Sequence, residues 1–270
     1  MAQAKNSLDI TGSISKLSMY RLQGHDQIIV RTKGGPNKHK IKTKPEFEKV
    51  RRNNEEWKAC TNMTGQIRYA YSDLKRIEDY PASGTLNAIC KQIQKEDTTS
   101  EHGKRNVLVS AHKEMLTGFS LSKKQVFESV LRVPVTAEID RVTGKAQIDI
   151  GEVNTELYLY NFRQLPVFRI VAMLSPLVDI VYGEKSYIEY NQSNERFFNR
   201  KKGCYESEWL QTMGTHPATH IELEYPMNIN PIPPNITLML TIGIEFGKPG
   251  PGNSYEAVKY AGTGKIVKLG

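Results

Sequence analysis

Hydrophobic and polar positions follow three successive patterns along this chain. Over residues 1–44, two short runs, Ile14–Leu22 and Gln27–Thr32, are rich in strand-forming residues. In the second, Ile28 and Val30 alternate with Ile29 and Arg31, as on a strand with two different faces. Gly24-His25-Asp26 between the runs predicts a hairpin turn. Lys33-Gly34-Gly35-Pro36-Asn37 suits no element interior, and Lys38-His39-Lys40-Ile41-Lys42-Thr43-Lys44 is too charged for a core. The pattern predicts a hairpin-bearing arm rather than an independent domain. A two-stranded ribbon is marginal alone and needs a surface to pack on, such as a neighbouring subunit.

From 45 to 118 the period becomes helical. Phe47, Val50 and Trp57, then Ile67, Tyr71, Leu74 and Ile77, recur at three-, four- and seven-residue intervals. Thr43 is placed to cap, Pro45 suits a first turn, and Glu46 and Glu48 suit the positive end of the helix dipole. Thr61-Asn62-Met63-Thr64-Gly65 predicts a bend or break, and Pro81 an end. Ser83-Gly84 opens a shorter helix through Leu86, Ile89 and Ile93, and a third short helix is predicted over Val107–Leu116 after the polar stretch Thr98–Gly103.

From 119 to 270 the period is that of strands. Val133–Asp140 and Ala146–Ile150 alternate around a turn at Arg141–Lys145. Further strands are predicted over Val167–Leu174, Val178–Tyr182, Ser186–Tyr190, His220–Tyr225, Ile236–Phe246 and Lys265–Leu269, separated by Pro- and Gly-rich turns. No helical period intervenes, which excludes a parallel α/β sheet. The predicted class is α+β: an arm (1–44), a helical segment (45–118) and an antiparallel β-sandwich (119–270) of immunoglobulin-like or jelly-roll type.

Charge sharpens this division. Residues 1–52 hold twelve Lys and Arg against four acids, a surplus equal to the +8 of the whole 270-residue chain. An electroneutral body therefore carries a basic arm, which points to an anionic partner or to docking on another subunit. Cys60, Cys90 and Cys204 are odd in number and far apart, which speaks for reduced thiols and against a disulfide framework. The most apolar stretch, Val167–Tyr182, is interrupted by Arg169, Pro176 and Asp179, so no membrane-spanning helix is expected. The first residues show no secretory signal pattern. The expected location is the cytoplasm or an assembled particle.

Several short motifs occur in a fixed order: Ile10-Thr11-Gly12-Ser13-Ile14, Val30-Arg31-Thr32-Lys33-Gly34-Gly35, Pro45-Glu46-Phe47 and Arg51-Arg52-Asn53-Asn54-Glu55-Glu56-Trp57. Gly103-Lys104-Arg105-Asn106-Val107 and Ile139-Asp140-Arg141-Val142-Thr143-Gly144 follow. The set resembles a family of uncharacterised proteins from Bacteroidota over most of the chain, most specifically over residues 10–57. Family members usually carry Thr and Phe where Arg52 and Trp57 stand here. The resemblance implies a lineage and no chemistry.

Candidate chemistry is sparse. Lys38, Lys40, Lys42 and Lys44, with Arg31, Lys33 and Arg52, could meet phosphates, or could equally be a solvated tract. Only Tyr20 and Phe47 lie near for base stacking. Gly34-Gly35-Pro36 reads as a chain reversal rather than an anion nest. Gly262-Thr263-Gly264-Lys265 fails as a phosphate loop, because Lys259 replaces the first glycine and Ile266 the hydroxyl residue. His216 and His220 are four apart but Pro217 disfavours the helix that would align them, and His102 and His112 lack an obvious carboxylate partner, so no metal or cofactor is expected. No nucleophile elbow occurs, and Glu222 and Glu224 belong to the wet face of a strand. Arg51–Trp57 reads either as a partner-binding helix anchored by Arg and Trp or as local Arg51–Glu55 and Arg52–Glu56 pairs. The expectation is a non-enzymatic assembly protein, a homo-oligomer whose arm adds a strand or basic surface to a neighbour through Arg31, Lys33, Phe47, Arg51 and Trp57. That would suit a shell, tube or filament subunit of phage-like origin. The alternative is a nucleic-acid-associated protein using Lys38–Lys44 and Arg51-Arg52.

Overall fold

The computed structural model describes residues 2–4, 11–21, 27–189, 201–226 and 232–270, without side chains at 2–4 and 253. They form two compact units, 1–51 and 52–270, together mixed α and β with 29% helix and 39% strand. Every named strand pairing is antiparallel.

The first unit is a four-stranded sheet followed by a short helix. Strands β1 (Ala2–Ala4), β2 (Gly12–Ile14), β3 (Leu17–Arg21) and β4 (Ile28–Thr32) lie in the order β1-β4-β3-β2. The run from Ile14 is thus not one strand. It reverses at Ser15-Lys16, where Ser15 takes a left-handed φ of 50° and Ile14 pairs with Leu17. The turn expected at Gly24-His25-Asp26, like Ile10 and Leu22, lies outside the described residues. The lysine tract forms helix α1 (Lys38–Thr43), which the sequence pattern missed because it has no apolar face. Its cap is Asn37, whose side chain accepts from the Lys40 amide, while the Thr43 hydroxyl bonds back to the His39 carbonyl and caps nothing. Pro45 opens a single 3₁₀ turn (Pro45–Phe47).

In the second unit, α2 (Glu48–Ala70, from residue 52 onward) runs straight through Thr61–Gly65. That stretch does not break it because Cys60, Met63, Thr64 and Ile67 all turn into the core. A 3₁₀ segment (Ser72–Ile77) and α3 (Ala82–Glu96) follow. The helix expected over Val107–Leu116 is instead two 3₁₀ turns, Val109–Ala111 and Lys113–Met115. Val107 is drawn off into a β-bridge with Ile180. A turn of helix α4 (Phe127–Val130) leads to β5 (Val135–Asp140), β6 (Lys145–Ile150), β7 (Val153–Asn154) and the short α5 (Thr155–Tyr158).

Strand β8 (Val167–Val178) absorbs Pro176, which lies beyond Leu174, the last residue paired with β11, so no donor is required on that side. Then come β9 (Ile180–Tyr182), β10 (Tyr187–Glu189), β11 (Gly203–Glu206), β12 (Leu210–Gln211), β13 (Thr215–His216), β14 (Thr219–Glu224), β15 (Ile236–Pro249) and β16 (Tyr255–Leu269). The main sheet is β11-β8-β15-β16 with β12 also on β8, and a second sheet is β14-β6-β5. None of the sheets closes into a barrel among the described residues.

Register explains the layers. Phe168, Ile170, Ala172 and Leu174 of β8 lie opposite Phe246, Ile244, Ile242 and Leu240 of β15 and face the second sheet's Ile148, Ile150, Ile221 and Leu223. The alternate residues, Val171 and Met173 with Met239, face the helices through Cys60, Met63, Ile67, Leu86 and Ile93. The main sheet is therefore buried on both faces, and the helices and strands of this unit share its core. Strands of the second sheet keep one wet face and alternate cleanly. Among the described residues, no helix is long and apolar enough to cross a membrane.

The Ser72–Ile77 segment sits almost in contact with the sheet backbone, over glycines. A β-carbon at Gly243 would lie 2.5 Å from Leu74 Cδ2, one at Gly264 2.9 Å from Ile77 Cδ1, and one at Gly262 2.6 Å from Ile77 Cγ2 and 2.3 Å from the Ile244 carbonyl oxygen. Leu74 and Ile77 are fully buried there, each stabilising the fold by about 1.5–3 kcal/mol. Gly262→Ala should destabilise by about 3 kcal/mol, since backbone must move. Gly243→Ala, which meets only the side-chain ends of Leu74 and Ile77, should destabilise by about 1 kcal/mol. Urea unfolding of the two variants checks the order.

Candidate functional site

The residues singled out in the arm are all at the surface or half-buried, and they do not converge on a cavity. Arg31, Lys33, Lys38, Lys40, Lys42 and Lys44 are exposed. Arg31 lies over the Tyr20 ring at 5.3 Å, a weak cation–π contact. Helix α1 holds no acid in its first turn, and Lys40 and Lys42 sit in its last turn, where the dipole favours cations. Lys44 makes an exposed 3.8 Å pair with Glu46. Phe47 is half-buried. Arg51 is a local brace, its guanidinium donating to the Ile41 and Lys44 carbonyls at 2.7 and 2.8 Å. Trp57 is 48% exposed.

The expected Arg52–Glu56 pairing on the helix surface is replaced by a buried network. Glu56 points inward and is fully buried. Arg105 Nε and Nη2 donate to its two oxygens at 2.7 Å each, Lys91 Nζ donates at 2.5 Å and the Gly103 amide at 2.9 Å. Glu55 is taken by Lys58 at 2.6 Å. Two of the sequence motifs thus meet face to face, and they meet closely. A β-carbon at Gly103, where φ is +100°, would lie 2.9 Å from Arg52 Cβ. Burial alone would raise the Glu56 carboxyl, but the bonds from Arg105, Lys91 and Gly103 outweigh it and hold the group at about 2. The third motif is also an anchor. Arg141 Nη1 donates to the Gly270 and Ile236 carbonyls at 2.7 and 2.8 Å, tying the β5–β6 turn to the residue after β16 and to the first residue of β15.

A concave feature of the second unit lies elsewhere, beside the Ser72–Ile77 segment. Two adjoining cavities of about 660 and 500 Å³ share Asp79 and Tyr260. Arg68, Lys75, Arg76 and Lys259 line the larger; Lys124 and Arg163 line the smaller. Their geometry follows from a bulge. Glu245 pairs with Gly262 and Gly247 with Ala257, so four residues of β16 stand opposite Phe246 alone. The surplus thrusts Lys259 and Tyr260 out of the ladder, and Tyr260 takes a left-handed φ of 60°. Arg163 Nη1 reaches the Lys259 carbonyl at 3.4 Å.

Charges in the wall are unevenly matched. Asp73 is held by Lys202 at 2.7 Å, and Glu78 by Arg68 at 3.5 Å and by the Ala82 amide. Asp79 accepts from the Ser122 hydroxyl and the Lys123 and Lys124 amides. Arg76 Nε lies 3.2 Å from the buried Glu245, an ion pair outside hydrogen-bond geometry. Arg169 holds the other Glu245 oxygen through Nε and Nη2 while resting on Trp209 at 4.9 Å. By contrast, none of Lys75, Lys124, Arg163 and Lys259 makes a carboxylate salt bridge among the described residues.

The remaining candidates disperse. His216 stacks edge-on against Phe168 and contacts the Gln211 carbonyl, whereas His220 bonds Asp149 at 2.6 Å on the exposed sheet face. No group of three or more His, Cys, Asp or Glu is placed to hold a metal among the described residues. Cys60 and Cys90 are buried, and burial pushes their thiols up to about 11 and 12. Cys204 is exposed, with its sulfur 3.7 Å from Asp73. Gly262 and Gly264 serve packing. Sequence reasoning missed the cavity pair. Lys75-Arg76 and Lys259-Tyr260 lie far apart in the chain, and only the unusual charge density before Tyr80-Pro81 hints at a surface feature. No family model matches the chain, and neither a curated protein nor a solved structure matches it at a significant level.

Because the Glu56 carboxyl is lower folded than the ordinary 4.5, its contribution is complete above pH 4.5 and disappears as pH falls toward 2. Glu56→Gln should destabilise by about 3 kcal/mol at pH 7 by stranding Arg105 and Lys91. The gap between wild type and variant should narrow as pH falls through that window, as read by chemical denaturation at each pH.

Proposed function

We propose that this chain is a non-enzymatic structural protein that assembles, with copies of itself, through its basic N-terminal unit. The observation carrying this reading is the poverty of that unit's own core. Among its described side chains one apolar residue is buried, Ile28, while Ile14 and Leu17 are 58% and 38% exposed. A four-stranded sheet that buries so little needs a second surface to be stable. Its outer strands β1 and β2 each have one unpaired edge within the sheet, which favours strand addition by a neighbour. The +8 surplus in residues 1–52 favours an acidic docking surface. Arg31, Lys33, Phe47, Arg51 and Trp57 are the proposed contacts.

In this reading the two facing sheets of the body are a variant of the immunoglobulin-like or jelly-roll sandwich, and the protein is a shell, tube or filament subunit of phage-like origin. The Bacteroidota lineage belongs to the same proposal. A second reading, nucleic-acid association, is favoured by the acid-free helix α1 with its exposed Lys38, Lys40 and Lys42.

Mass photometry and negative-stain imaging test the assembly. Full-length protein should form ordered oligomers, and the full-length double variant Ile14→Lys, Leu17→Lys should shift to monomers with its melting transition retained. A chain starting at Lys44 should also be monomeric. Monomers of the unaltered protein at high concentration, at both low and high salt, would overturn the reading. Retarded oligonucleotide whose affinity falls steeply with salt would move support to the second.

A further inference from the structure

The bulge in β16 presents Lys259 and Tyr260 to a concave wall at the expense of a left-handed tyrosine. A non-glycine residue in that conformation is disfavoured, and bulges of this kind commonly re-aim side chains at sites. The wall's three carboxylates already have donors, and its two arginines nearest the sheet, Arg68 and Arg76, are occupied by Glu78 and Glu245. What faces the cavities without a salt bridge, among the described residues, is a set of separate cations, chiefly Lys75, Lys124 and Lys259. Two tyrosine rings carry lysines over them, Lys123 at 4.6 Å from the Tyr80 centroid and Lys259 at 4.8 Å from that of Tyr260. One face of each ring is thus taken by an ammonium group.

We propose that the paired cavities between the Ser72–Pro81 segment and the β16 bulge bind a small ligand carrying two or more phosphate groups. Concave walls focus the field of uncompensated cations. Ammonium groups act as compact point charges that meet phosphate oxygens from any direction, whereas planar carboxylates are matched best by arginine forks, of which Arg68 and Arg76 are engaged and Arg163 touches a backbone carbonyl. The larger cavity, about 660 Å³, lies within the size range of small-molecule sites. This site is independent of the arm and of the assembly reading.

Calorimetric titration of the full-length protein with inorganic tripolyphosphate tests it, beside two full-length variants and citrate as a tricarboxylate control. The arm variant Lys38→Ala, Lys40→Ala, Lys42→Ala should keep its affinity for tripolyphosphate within about twofold. The groove variant Lys75→Ala, Lys259→Ala should lose about tenfold or more. Both groove lysines are exposed, so the variant's melting transition should be unchanged. Tyr260→Gly adds an arm that a folding defect cannot mimic: it relieves the left-handed strain and should raise the melting temperature while weakening binding. No binding, loss confined to the arm variant, equal affinity for citrate, or tighter binding of a single-stranded oligonucleotide through the same lysines would each overturn the proposal.

Discussion

The body depends on one close approach, the docking of Leu74 and Ile77 onto the glycines of β15 and β16. Ordinary packing of an element on a sheet keeps side chains between the two backbones. Here Gly243, Gly262 and Gly264 remove those side chains, and the 3₁₀ segment drops into the space. Several features follow from that proximity. The turn from α2 into α3 is pinned at the sheet, which orients both helices over Val171 and Met173. Arg76, the residue before Ile77, comes within reach of Glu245 in the next turn of the ladder. The segment's outer side becomes one wall of the cavity pair, and the β16 bulge the other.

Buried charge is the second constraint, met in full at Glu56 and in part at Glu245. Glu56 and Glu245 are 0% and 1% exposed, positions where an unmatched carboxylate would be untenable. Glu56 receives four donors, enough to hold it ionised against burial. Glu245 receives Arg169 and a looser contact from Arg76, and burial, the larger influence, keeps its carboxyl above the ordinary value. The difference has a structural reason. Glu56 is met from α3 by Lys91 and from the Gly103–Asn106 loop by Gly103 and Arg105, whereas Glu245 lies in a central strand, where Arg169 holds one oxygen. Both networks lock distant parts of the chain together.

Three of the short sequence motifs, Arg51–Trp57, Gly103–Val107 and Ile139–Gly144, contain anchoring residues of the fold. Asn53–Glu56 and Gly103–Asn106 face each other across the Glu56 network, and Arg141 holds the carbonyls of Ile236 and Gly270. They are places where one residue satisfies several backbone or charged partners, so substitution at any of them breaks more than one bond.

Much of the secondary structure was legible from period alone. Strands β5, β6 and β14 announced themselves because one face is wet, and the body of α2 because its core face repeats every three to four residues. Helix α1 was not legible, since a helix of exposed lysines has no apolar stripe. Pro176 and Thr61–Gly65 were misleading, because tertiary context supplied an unpaired strand flank to one and buried partners to the other. Elements β11 to β13 were too short to register. The chain by itself determined the antiparallel pairing, the separation of a basic arm from a neutral body, and which residues would be apolar enough to bury, because these depend on local pattern and composition. Only the tertiary structure decided that the helices share a core with the sheet, that Glu56 turns inward rather than toward its own helix, and that Lys75 and Lys259 line one wall. Those outcomes depend on residues some fifty to nearly two hundred positions apart, brought together by packing that no local period encodes.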